Sequence, residues 1–472
     1  MKSIVNPVQI LNPEHPLFKW FTIPAMLILI AILSPMLAMG NLLAYLLFGS
    51  IAVIVGALVV LKWPGAGFPI LVAASLIVPI RINTGTQTSI NSAMIVSIGM
   101  IGLWLFDMIT RQKQFRLLPA SVITPSIIFI VIALIAFLFG QLPWYPGRSA
   151  SLFSQLGGLS LFILLTMTMI VTIHRLTNLK WLQAAVWVFI ILGGIYNLAF
   201  LISPLRPYVN RFFQRAVLDS LFWLWLLILT FGQAYLNRNL AIKWRLLLGI
   251  STLAILYNLL IMKQSWTSGW FPALASIFFV VLIIKPKWAI SIAGIAGFFL
   301  LISSQFANEL ILGGDNEYSL LTRLEAWKIL GEIIKVNPLF GLGPSNYYFF
   351  TPFYRILGYS VSFNSHNNYI DIVAQVGLLG LIAYLWIIFE IFKAGWHARI
   401  QTENQGFEHA YIYSALGGVV GILVAGMFGD WVIPFVYNVG MEGFRASVLG
   451  WFFMGALVFL DLRKRHNLQE NE

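Results

Sequence analysis

Apolar runs of about 20 residues, the length that carries a helix across a bilayer, recur along almost the whole chain. On that criterion the pattern predicts spans at about 21–39, 42–61, 67–82, 90–109, 122–140, 152–173, 181–203, 217–236, 244–262, 268–284, 287–304, 368–393, 410–430 and 444–462. The polar breaks between them are short, with one exception between about Gln305 and Ser365. The fold expected is therefore an all-α polytopic membrane protein with about 12–14 transmembrane helices and one large helical loop. It divides into first helices (1–304), the loop (305–367), and last helices with a tail (368–472). The first run, near Phe21 to Met39 after Lys2 and Lys19, leads straight into another span, so it reads as an anchor rather than a cleaved leader.

Within the long loop, SLLTRLEAWKILGEIIKVNP places Leu320, Leu321, Leu324, Trp327, Leu330 and Ile334 at three- and four-residue steps, the mark of an amphipathic helix. Asn337-Pro338 ends it, since proline lacks a donor and restricts the residue before it. Gly341, Gly343 and Pro344 then predict a tight turn. An aromatic stretch, YYFFTPFYRILGY, leads to FNSHNNYIDIVAQVGLLGLIAYL, where the next span begins.

Composition agrees with a bilayer environment: 59% of residues are hydrophobic and 10% charged, far below the quarter or so usual for soluble domains. The chain has no cysteine, which excludes disulfides, thiolate metal sites and cysteine nucleophiles. The net charge of +12 sorts by side. With a cytoplasmic N-terminus, 18 of the 29 basic residues fall on inner segments, as the positive-inside rule requires. The charge is thus mostly topological, and no nucleic-acid partner is expected.

Two outer segments depart from that bias. PLRPYVNRFFQRA carries Arg206, Arg211 and Arg215 without an acid, and Arg211 and Arg215 would share a face if the segment were helical. The cluster calls for an anionic partner, either a ligand or the phosphates of membrane lipids. In the long loop, Arg323 lies one step from the apolar stripe, and His366 is the one histidine of six on the outer side, set among Asn364, Ser365, Asn367 and Asn368. Histidine is eligible as a base near neutral pH, although a histidine at a helix start is more often a cap. Asp371 could orient it or pair with an arginine, but five residues' spacing puts the two on different helix faces. Asp219 reads as the partner of Arg215, and Asp107 and Glu390 as solvated at inner ends. Asp430, Glu442 and Arg445 sit among aromatics in the last outer connection, which could line an acceptor site but reads first as an interface anchor through Trp431 and Tyr437.

The run RLEAWKILGEIIKVNPLFGLGPSNYY from Arg323, followed by HNNYIDIVAQVGLLGLIAYLW from His366, resembles the signature of the O-antigen ligase-like family, which includes O-antigen ligases, O-antigen polymerases and related exopolysaccharide polymerases. The resemblance covers about 65 residues. It implies a metal-independent glycosyltransferase of the bacterial cytoplasmic (inner) membrane, needing no cofactor, with its site on the extracytoplasmic side. The donor it implies is a glycan on undecaprenyl diphosphate, and the acceptor a hydroxyl of a glycan or lipid-anchored sugar. By position His366 is implied as general base and Arg323 as a diphosphate ligand, with Arg211 and Arg215 matching an upstream arginine loop loosely. Where many members carry serine-arginine-glycine, this chain has Lys263-Gln264-Ser265-Trp266-Thr267-Ser268-Gly269-Trp270. Lys263 supplies the charge there without arginine's bidentate fork. The competing expectation is a transporter or scaffold for an anion or lipid-linked glycan. Such proteins commonly show internal repeats, midplane polar groups and broken helices, and no repeat is visible.

Overall fold

The computed structural model describes residues 54–85, 88–263, 266–302, 317–402 and 405–469. Contacts divide the chain into Met1–Trp63 and Pro64–Glu472. In the first unit residues 54–62 are helical; the spans expected at 21–39 and over most of 42–61 lie outside the described residues. In the second, α1 (Gly67–Leu76) leads to an antiparallel hairpin, β1 (Arg81–Asn83) and β2 (Ser89–Asn91), with Arg81 opposite Asn91. There follow α2 (Ser92–Asp107), α3 (Ile123–Phe139), α4 (Leu152–Arg175), α5 (Leu179–Leu201), the short α6 (Arg206–Phe212), α7 (Ser220–Tyr235), α8 (Ile242–Tyr257), α9 (Thr267–Ile284), α10 (Pro286–Ile302), α11 (Glu317–Ile334), α12 (Asn368–Ile400), α13 (Phe407–Phe428) and α14 (Phe444–Gln469).

Among the described residues eight helices are long and apolar enough to cross a membrane, and α1, α3 and α7 are shorter apolar helices. The protein is an all-α, polytopic membrane protein. The span expected at 67–82 is the clearest departure, because α1 stops at Leu76. Pro79 cannot continue a helix, and the carbonyls left over at its end find another donor. The guanidinium of Arg445, 1% exposed, bonds the carbonyls of Ala74 (2.9 Å), Val78 (3.1 Å) and Ile80 (3.0 Å) and the Ser92 hydroxyl (2.9 Å). Arg445, read from sequence as part of an interface anchor, is a buried clamp on the turn into the hairpin.

The innermost helix is α14, which packs against α1, α2, α4, α7, α12 and α13. Small residues set the close approaches, as is usual between membrane helices. A Cβ at Gly417 or Gly421 of α13 would lie 2.6 Å from the Ser276 carbonyl oxygen or 2.9 Å from that of Pro272, both on α9. Trp223, Trp225 and Trp451 fill the interior.

α12 is broken. Gly377 has φ +74° and ψ −179°, a conformation open essentially to glycine alone. The break exposes backbone groups that a helix would pair internally, and the loop after α11 takes them up. Leu342 and Gly343 donate to the carbonyls of Ala374 (2.9 Å) and Gln375 (3.0 Å), while Leu378 and Leu379 donate to those of Pro338 (2.8 Å) and Leu339 (3.3 Å). Tyr369 and Tyr384 report the bend: their ring centroids are 6.4 Å apart, although fifteen residues of straight helix rise about 22 Å.

The segments expected on one side of the membrane meet at one end of the bundle. Asn346 bonds the Gly140 carbonyl and accepts from Ala150, Asn91 bonds the Met441 carbonyl, Ser220 bonds the Ser268 carbonyl, and Asn368 bonds that of Ile433. At the other end Asp107 pairs with Arg175 (2.8 Å) and Arg111 (3.6 Å), and Glu390 with Lys393 (2.6 Å), so both acids have partners beyond the solvent expected for them.

A methyl group at residue 377 would strike the Leu339 carbonyl and impose a forbidden backbone conformation. Gly377→Ala is expected to cost about 2–3 kcal/mol and to lower the melting temperature of the detergent-solubilised protein. Gly99→Ala, where a Cβ meets nothing within 4 Å, should leave it unchanged.

Candidate functional site

Helix α11 presents a different face from the one its leucines suggest. Ala326, Ile329, Leu330 and Ile333 are buried, whereas Leu321 and Leu324 are exposed. Both stripes obey helical spacing, and tertiary contact chooses between them. The chosen face packs on Leu342, Tyr347, Phe350 and Phe435. The Trp327 indole donates to the Ser365 carbonyl (2.8 Å), tying the helix to the residue before His366. Arg323 stands one turn earlier on the same edge as Trp327.

His366 occupies a strained turn. Its φ is +49°, uncommon outside glycine and found disproportionately at functional sites. It is exposed, between Ser365 (0% exposed) and Asn367 (9%). The Ser365 hydroxyl accepts from the Asn367 amide (2.9 Å) and lies 2.7 Å from the Asn367 carbonyl and from the Asp371 carboxylate. Asn367 caps α12 by accepting from Tyr369 (2.9 Å) and Ile370 (3.3 Å). The Tyr347 hydroxyl donates to the same oxygen of Asp371, and Tyr347 stacks on Phe435 with centroids 4.7 Å apart. Asp371 thus accepts from both Ser365 and Tyr347 and fixes the residue next to His366.

Asp430 is a carboxyl group that feels the charge of His366. Fully buried, it accepts from the Phe435 amide (2.8 Å) and the Asn438 side chain (2.5 Å). Burial pushes its pKa up; those two donors and the charge of His366 pull it partly back. Asp219, which caps α7 through the Leu221 amide (3.3 Å), is likewise pushed well up, first by burial and in small part by Asp430. Arg215 acts on Asp219 at longer range, and the direct pair expected from their spacing does not form.

The cations fall into two groups. Lys263, Arg206 and Phe200 form one: the Lys263 ammonium lies 4.4 Å from the Trp223 ring centroid and 5.2 Å from those of Phe200 and Trp266, and the Arg206 guanidinium sits 5.1 Å from that of Phe200. Trp266 meets Trp431 edge-on at 6.2 Å, beside Asp430. Arg211 is exposed on α6 with Arg206. That helix ends at Phe212, and the extended Phe213 and Gln214 separate it from Arg215. Arg211 and Arg215 thus do not share a helix face. Arg215 belongs to a second group, lining a pocket of about 340 Å³ with Arg81, Ser89, Gln214, Glu442 and Arg445. Between α12 and α13 an open apolar groove of about 500 Å³ runs from Asn367, Ile370 and Met427 to Leu385 and Val420, so its polar end adjoins the His366 turn.

Sequence reasoning missed Asp430 as a neighbour of His366, the aromatic cage of Lys263, and the second basic pocket. Asp430 and Trp431 follow α13 directly, and a buried acid flanked by tryptophan at a span end was the available signal. The cage joins Phe200, Trp223 and the connection that carries Lys263 and Trp266, three segments that no local pattern brings together.

No model of a known protein family matches the chain. Over 168 residues it is 30% identical to the exopolysaccharide production protein ExoQ of Rhizobium meliloti (strain 1021). The aligned stretch covers 34% of this chain and 36% of that protein, so the chain spans about a third of the length of the curated relative it matches.

Burial lowers the Lys263 pKa to about 8, against about 10.4 for a free lysine. The ammonium is present below that pH and lost above it. Carbon-13 NMR of reductively methylated protein, with Lys263→Arg identifying the resonance, should show one lysine titrating near pH 8. A Lys263 midpoint at the ordinary value would contradict the caged geometry.

Proposed function

We propose that the protein is an extracytoplasmic glycosyltransferase of the O-antigen ligase or polymerase type, moving a glycan from undecaprenyl diphosphate to a sugar hydroxyl. The observation that carries this reading is the His366 turn: an exposed histidine held at positive φ between two buried hydrogen-bonding residues, with a buried carboxylate in electrostatic reach. The similarity to an exopolysaccharide production protein and the motif run from Arg323 support the same class. The site faces away from the cytoplasm in this reading, at the end of the bundle where the sequence places the outer segments.

His366 takes the proton of the acceptor hydroxyl as the acceptor oxygen bonds to the donor's anomeric carbon. The bond from that carbon to the diphosphate oxygen breaks, and its electron pair leaves with the lipid diphosphate. Asp430 favours the imidazolium so formed, and the imidazolium in turn favours the Asp430 carboxylate. Arg323, Arg206 and Lys263 hold the developing negative charge, with Arg211 at the rim; guanidinium groups suit phosphate oxygens because their donors lie in a plane. The groove between α12 and α13 receives the lipid chain beside the histidine.

The second reading, a transporter or scaffold for an anion or lipid-linked glycan, is favoured by one observation: α12 is a broken helix, a feature of transporter binding sites. Here the break is filled by the chain's own backbone rather than lining a cavity, which supports the transferase.

Purified protein given an undecaprenyl diphosphate glycan and candidate acceptors in the presence of EDTA should form a glycan product. His366→Ala should lower the rate by about 100-fold or more without changing the melting temperature, and Arg323→Ala should also lower it strongly. Full activity of His366→Ala would sink the assigned base. Movement of substrate across proteoliposomes with no product from any acceptor would transfer the case to the second reading.

A further inference from the structure

The pocket lined by Arg81, Arg215, Gln214, Ser89, Glu442 and Arg445 contains none of the residues assigned above to the donor. Its walls are the β1–β2 hairpin, the turn at Arg215–Leu218 and the turn at Met441–Gly443. Its volume of about 340 Å³ falls within the range of small-molecule sites, roughly 300–1,000 Å³.

The groups in the pocket differ in what they leave unsatisfied. Arg445 is fully committed, to Glu442 (2.7 Å) and to the carbonyls behind it. Arg81 uses its Nε on Ser89 (3.1 Å) and stands 3.9 Å from Glu442 Oε1; its side chain is 62% exposed. Among the described residues the exposed Arg215 guanidinium has no hydrogen-bond or ion-pair partner. Glu442 Oε1 is buried and receives no hydrogen bond from the described residues. The pocket therefore offers two cationic forks and, between them, a carboxylate oxygen lacking a donor.

Those requirements select a ligand class. A bare phosphate would satisfy the arginines but be repelled by Glu442. A neutral sugar would give Glu442 a hydroxyl and leave Arg215 uncompensated. A polyhydroxylated anion answers both: its acidic group bonds the guanidinium donors and a neighbouring hydroxyl donates to Glu442. We propose that the pocket binds an acidic sugar residue, of the uronate type, on the acceptor glycan. The assignment of the sugar to the acceptor rests on the transferase reading. It is supported by position: Val439 and Gly440 line the pocket, and the neighbouring Asn438 donates to Asp430 (2.5 Å).

Binding tests this directly. The full chain in phosphatidylcholine nanodiscs is titrated with trigalacturonate and, separately, with neutral maltotriose. Trigalacturonate should bind and maltotriose should bind far more weakly. Arg215→Gln, an exposed substitution that spares the fold, should weaken trigalacturonate by about tenfold, the loss of one charge-assisted contact, and Arg81→Gln similarly. Glu442→Gln should weaken it too, with its melting curve recorded because Arg445 depends on that carboxylate. Equal binding of the two sugars, no trigalacturonate binding, or wild-type affinity in Arg215→Gln overturns the proposal. So does a site that takes up phosphatidylglycerol in nanodiscs but ignores trigalacturonate, which assigns it to a lipid headgroup. Trigalacturonate binding lost in Arg215→Gln, in a protein that transfers no glycan, would leave the pocket standing and remove the transferase reading alone; transfer without trigalacturonate binding would do the reverse.

Discussion

Leu342 and Gly343 reach across to the carbonyls of Ala374 and Gln375, and the amides of Leu378 and Leu379 reach back to Pro338 and Leu339. These four backbone hydrogen bonds close a break in α12 that would otherwise leave polar groups unpaired in apolar surroundings, at several kcal/mol each. Much at this end of the bundle hangs from that closure. It orients the first half of α12, whose cap is Asn367 and whose leading residue is His366. It seats Ser345 on the Gln375 side chain (3.0 Å) and the Ser154 carbonyl (3.1 Å), and Asn346 on the Gly140 carbonyl (2.9 Å). The aromatic cluster that receives α11, and with it Arg323 and Trp327, is anchored by the same loop.

Charge is arranged around that scaffold with little cancellation nearby. Asp371, Asp430 and Asp219 are all buried and bonded within the fold, and Arg215 acts on Asp219 only at longer range, without a direct pair. Lys263 is partnered by aromatic rings, and Arg215 makes no hydrogen bond or ion pair with the described residues beyond its longer-range action on Asp219. Cations left in this condition at the mouth of a membrane protein are suited to an anionic ligand arriving from outside, because the attraction is not already used internally.

Much of this was legible in the sequence, and for definite reasons. Apolar run length located helices such as α4, α5 and α13 to within about three residues, since a bilayer admits little else. Asn337-Pro338 marked the end of α11, and GLGP marked a tight turn. Other features were hidden. Gly377 sits in a mostly apolar stretch, where glycine is common and a break has no local sign. The face of α11 depended on partners more than ten residues away. The helical pairing of Arg211 with Arg215 failed because Phe213 and Gln214 are extended, and the short α1 was disguised by the apolar residues that continue past its end. Pro79 was the signal for that last one.

We propose that a lipid diphosphate is held between the Lys263 cage and the His366 turn. Electron cryomicroscopy of the full chain with a non-transferable phosphonate analogue of an undecaprenyl diphosphate sugar tests it most directly. The account predicts phosphorus density within contact of Arg323, Arg206 and Lys263, the sugar toward His366, and the lipid chain in the groove between α12 and α13. Density at the opposite end of the bundle, or a diphosphate out of reach of both Lys263 and Arg323, would contradict it.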